Sequence, residues 1–135
     1  MNAFAHMPAP SLDDFAVMAR HAWAALPGAF TRLAGDVVFR IQDFADDGLL
    51  EDMEIADAFE LTGLYVGVDL TRQSHSDPAP ATPMVFLFRR PILDEWAERG
   101  DVALGDLVAH VLVHEIGHHF GLSDDDIDAI LDRAD

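Results

Sequence analysis

The chain has 135 residues, half of them apolar, and its 25 acidic and eight basic residues give a formal net charge of −17. Every basic residue is Arg, and there is no Cys, which excludes disulfides, thiolate metal sites and a Cys nucleophile. Charge of this sign repels nucleic acid and anionic membranes, and no run approaches the ~20 apolar residues of a membrane span, so a soluble cytoplasmic protein without nucleic-acid or membrane partners is expected.

Residues 1–10 read as a loose tail; they contain no basic residue and no long apolar run, so no secretory signal is expected. Residues 11–135 suit a single domain. Ser11 opens a first helix as N-cap, with acids in its first turn, and Pro27-Gly28 ends it. Phe30–Gly35 suits a helical turn. Val37–Phe44 reads as a strand, with Phe39, Ile41 and Asp43 facing one way and Arg40, Gln42 and Phe44 the other. The acidic stretch from Ala45 to Phe59 lacks the spacing of a calcium loop and reads as a solvated helix or loop face.

Leu61–Leu70 is expected to be a second strand, loosened by Gly63 and Gly67. The Pro-rich stretch Thr71–Pro83 reads as a surface loop, and Met84–Phe88 as a short central strand. Pro91 suits the first position of a helix running to Arg99. A long helix follows at about Ala103–Phe120, apolar around most of its circumference, and Ser123 caps a last helix at about Asp124–Arg133. This order predicts an α+β fold with a small sheet packed against the long helix.

The end of that long helix carries the chemistry. Val113–Asp124 reads V-H-E-I-G-H-H-F-G-L-S-D. His114 and His118, four residues apart, share one helix face and can reach one metal ion with bonds of about 2.0–2.1 Å. Glu115 lies roughly 100° further round, close enough to touch a metal-held water without ligating the metal. Gly121 lets the chain reverse at the helix end, which can return Asp124 to the metal as third ligand. Asp124 also suits the first turn of the last helix, and the two roles are compatible. Two imidazoles and a carboxylate with an open position match catalytic zinc; non-haem iron uses the same set, but a Glu directly after the first His favours hydrolysis. An imidazole or carboxylate on a helix buried on most sides needs partners, which a metal and its water would supply.

The pattern H-E-x-x-H-x-x-G-x-x-D resembles the zincin-type metallopeptidases, most closely the small bacterial group of minimal zincin-like domains. The resemblance is strongest over Ala109–Ile130 and continues more weakly through Gly63–Asp69 and Phe86–Leu93. It implies a pared-down zincin domain that binds Zn2+ and hydrolyses peptide or protein substrates, with Glu115 catalytic and His114, His118 and Asp124 as ligands. It also implies that an edge strand, Gly63–Asp69 or Met84–Phe88, pairs with extended substrate. No Met follows Met84, so a Met-turn is absent, and the few residues after Gly121 predict a shallow cleft. Tyr65, Arg72 and His75 suit an oxyanion donor by residue type alone. His110, one turn before His114, reads as a core histidine or a support for the site, and His119 as a surface or structural residue. The short chain and thin cleft also fit a metal-binding regulatory or interaction module with little turnover.

Overall fold

Strand β3 (Met84–Phe88) organises the computed structural model, which describes residues 9–67 and 82–133. Its side chains alternate between two apolar layers. Val85 and Leu87 are fully buried in the main core, whereas Phe88 joins Ala45, Leu50 and Leu61 on the opposite face, with Phe86 packed against them. A strand buried on both faces belongs in the centre of a sheet. The sheet order is β1-β3-β2, with β1 (Val38–Gln42) parallel to β3 and β2 (Gly63–Val66) antiparallel to it. Phe39 and Ile41 of β1 turn towards the main core, as their alternation predicts.

Helix α1 (Leu12–Ala25) starts at a capping box: the Ser11 hydroxyl accepts from the Asp14 amide, and the Asp14 carboxylate accepts from the Ser11 amide. The box satisfies two amide donors that the first helical turn leaves open. Phe15 and Ala19 bury the inner face of α1 against the core. Helix α2 (Gly28–Ala34) brings Phe30 into that core, and Trp23 meets Phe30 and Phe39 at ring separations of 6.4 and 6.0 Å. The acidic stretch forms α3 (Asp47–Asp52) and a short 3-10 turn at Ala58–Glu60, with its carboxylates largely solvated.

Helix α4 (Arg89–Arg99) begins two residues before Pro91. Pro is tolerated there because first-turn amides have no intrahelical acceptor. The start is held from outside: the Arg89 guanidinium donates to the Pro10 carbonyl at 2.6 Å and to Asp43 at 3.0 Å. Helix α5 (Leu104–His119) follows, and α6 (Asp124–Arg133) closes the described chain. Among the described residues, six α-helices and a three-stranded mixed sheet make this an α+β fold. None of the described helices is long and apolar enough to cross a membrane.

Two expectations need adjustment. Among the described residues the second strand spans Gly63–Val66, and residues 68–81, which include Asp69, Arg72, His75 and most of the Pro-rich loop, lie outside the described residues. Helix α5 is buried through Leu104, Leu107, Val108, Val111, Leu112, Val113 and Ile116, but its polar groups are not. His114 and Glu115 are half-buried, His118 and His119 are exposed, and among the described residues no charged side chain is buried. The apolar residues of α5 leave one stripe open to solvent, and the motif lies on it. Burial therefore does not by itself require a metal here.

Candidate metal centre

The last turn of α5 and the first turn of α6 form the centre. Between them the chain makes a Schellman corner: the Leu122 amide donates to the Gly117 carbonyl at 2.9 Å, and the Gly121 amide to His118 at 3.1 Å. Gly121 adopts φ +77°, the left-handed conformation that side chains with a Cβ rarely take. Ser123 then caps α6 through a second capping box, trading hydrogen bonds of 3.1 Å with Asp126. Because Asp126 fills the capping role, the Asp124 carboxylate is left for other partners.

Helix α6 docks through Ile127, which is fully buried. Its side chain fills the space beside Gly117, where an added Cβ would sit 2.9 Å from Ile127 Cγ1. Sequence reasoning passed over Gly117. A glycine in a helix interior costs about 1 kcal/mol relative to Ala, and that cost was the available signal.

This corner brings the sequence-predicted residues together. Ligand atoms of His114, His118 and Asp124 all lie within 4.8 Å of one another. His114 Nδ1 is 3.3 Å from His118 Nε2, and His118 Nε2 is 3.7 Å from Asp124 Oδ1. Tetrahedral bonds of about 2.0–2.1 Å place neighbouring ligand atoms about 3.3–3.4 Å apart. The imidazole pair already has that separation, and the carboxylate, 3.7 Å from His118 Nε2, would have to move closer. Donor type and spacing thus fit a divalent ion such as zinc.

Glu115 lies beside this trio, on the side of α5 next to β2. Its Cγ lies 3.5 Å from the point where a Cβ on Gly63 would stand. Burial raises the Glu115 carboxyl above the usual carboxylate range, and the nearby His118 partly offsets this. One turn on, His119 meets Tyr65 of β2 edge-to-face with ring centroids 4.7 Å apart, and Phe120 approaches Tyr65 at 5.8 Å. Tyr65 is buried, and desolvation raises its phenol. On the other flank, His110 lies against His114 with ring centroids 4.2 Å apart. Burial, then the neighbouring His114, lowers the basicity of His110.

A family model described as zincin-like metallopeptidase matches residues 34–133, from the end of α2 through α6. The chain belongs to that family. The match takes in all three strands and the whole metal-centre motif, and leaves α1 outside. No curated protein shows significant similarity to this zincin-like chain.

Proposed function

We propose that this zincin-like protein is a zinc-dependent peptidase in which His114, His118 and Asp124 hold the metal and Glu115 is the general base. The convergence of three ligand atoms within 4.8 Å, next to a carboxyl with raised proton affinity, carries the reading. When bound, zinc supplies Lewis-acid polarisation of the substrate carbonyl and acidifies a water. Glu115 would accept a proton from the attacking water at its carboxylate and deliver it to the leaving amine nitrogen. As a ligand, Asp124 would bring a negative charge where a third neutral imidazole would bring none, and would temper the acidifying effect of the metal.

Extended substrate has a partner in β2, an edge strand that contacts α5; β3 is paired on both sides and is not free to add a strand. The exposure of the ligands favours a second reading. The side chains of His118 and Asp124 are 56% and 80% exposed, which also suits a metal-holding interaction module with little turnover.

Glu115→Gln and His118→Ala separate the readings. Metal content by elemental analysis and cleavage of an unstructured peptide library should be measured together. Glu115→Gln should keep stoichiometric zinc and lose cleavage by 10²-fold or more, whereas His118→Ala should lose the metal. Undiminished cleavage in Glu115→Gln would remove Glu115 from the mechanism. Zinc in the wild type without cleavage of any peptide would select the interaction module.

A further inference from the structure

A groove of about 660 Å³ runs between α1, α5 and α6, on the flank of α5 away from β2. Its size falls in the range of pockets that hold small ligands or side chains. One wall belongs to α1, outside the segment matched by the family model. The lining is mixed: Val17, Met18 and Ala22 of α1 and Leu131 of α6 supply apolar surface, His21 of α1 an imidazole and Asp106 of α5 a carboxylate. His110 also lines the groove, and its ring lies 4.2 Å from that of His114, so this imidazole stands between the groove and the metal centre. The charged groups acting on His110 besides His114 are Glu95, Asp128 and Arg99. Arg99 is paired with Glu95 at 3.1 Å, and Asp128 adds a further carboxylate on this side.

We propose that the groove is a subsite for a basic side chain of the substrate, with its apolar walls against the aliphatic stem and Asp106 as counter-ion. The proposal rests on the peptidase reading for the identity of the occupant. An amphipathic slot with an acid at its rim matches the build of Arg, a long apolar stem ending in a cation. A chain with net charge −17 and no Lys also attracts basic peptides before contact.

The test is binding, so it does not depend on turnover. The full chain carrying Glu115→Gln and loaded with zinc is titrated into a fluorescein-labelled, unstructured peptide with a single Arg. The comparison peptide has citrulline, the neutral isostere, at that position. The Arg peptide should bind about fivefold more tightly, the size expected for one solvent-exposed ion pair. Adding Asp106→Asn should bring the ratio to about one. Asp52→Asn on α3, which removes the same charge outside the groove, should leave the ratio unchanged. Gly105→Phe should weaken both peptides, because Gly105 lines the groove and an added Cβ there meets nothing within 4 Å.

Equal affinities, no measurable binding of the Arg peptide, or equal effects of Asp106→Asn and Asp52→Asn would overturn the proposal. Wild-type cleavage of the same two peptides judges the peptidase reading separately. Discrimination without cleavage would keep the groove and remove the peptidase; cleavage without discrimination would do the reverse.

Discussion

The last turn of α5 divides its side chains between two neighbours. His114 and His118 face the corner leading to α6, whereas Glu115 and His119 face β2. Tyr65 belongs to the second group, and its environment has a measurable consequence. The phenol ionises at 10.0 in an unperturbed chain and at higher pH in the fold, because burial disfavours the phenolate. In the interval between those values the folded state holds more protons than the unfolded state. Stability therefore falls as pH rises through and beyond 10.0. Tyr65→Phe has no such proton to lose. Urea midpoints of the two proteins should diverge between pH 8 and 11, with the wild type losing ground; parallel curves would show that Tyr65 does not titrate differently on folding. His119, read from sequence as a surface or structural residue, is exposed and packs edge-on against this tyrosine.

The helices show what the amino-acid pattern discloses and what it conceals. Helix α5 is legible because eight apolar residues recur at helical spacing and Gly121 marks the stop. The starts of α1 and α6 are legible because Ser11 and Ser123 are each followed three residues later by Asp, a local signal. The start of α4 before Pro91 is not, because the Arg89 contacts that hold it reach back to Pro10 and Asp43. Nor is the edge position of β2, since strand order depends on pairing between distant segments. The role of Gly117 is equally hidden, as it depends on where Ile127 lands. Gly117→Ala tests that contact. An isolated helix would gain from the change, but here the new methyl meets Ile127 Cγ1 at 2.9 Å. The expected result is a loss of about 1–3 kcal/mol in chemical denaturation, with weaker zinc binding as Asp124 is displaced. Adding Ile127→Val should recover part of both. A Gly117→Ala protein as stable as the wild type, with full zinc affinity, would show that α6 docks loosely.

For the molecule as a whole, composition settles the electrostatics and leaves the geometry open. A net charge of −17 makes the folded state repel itself, because folding draws the carboxylates closer together. Added salt screens that repulsion over a distance of about 10 Å at 0.1 M and about 3 Å at 1 M. Melting temperature should rise by a few degrees between 20 mM and 500 mM sodium chloride; a flat response would mean that the acids are spaced widely enough to be indifferent to one another. The residues proposed as ligands stand out in the sequence, because H-E-x-x-H puts His114 and His118 on one helix face. Their exposure does not, because it depends on which stripe of α5 the sheet and α1 leave uncovered.

The Schellman corner has one more effect. Two of the three donors belong to α5, which is anchored in the core, while Asp124 rides on a ten-residue helix joined to it by a tight bend and seated through Ile127. A cation bridging the two would act as a clasp. Whatever lifts α6 by a single turn would open the coordination sphere without disturbing the sheet, so the grip on the ion can be no firmer than the seat of that one small helix.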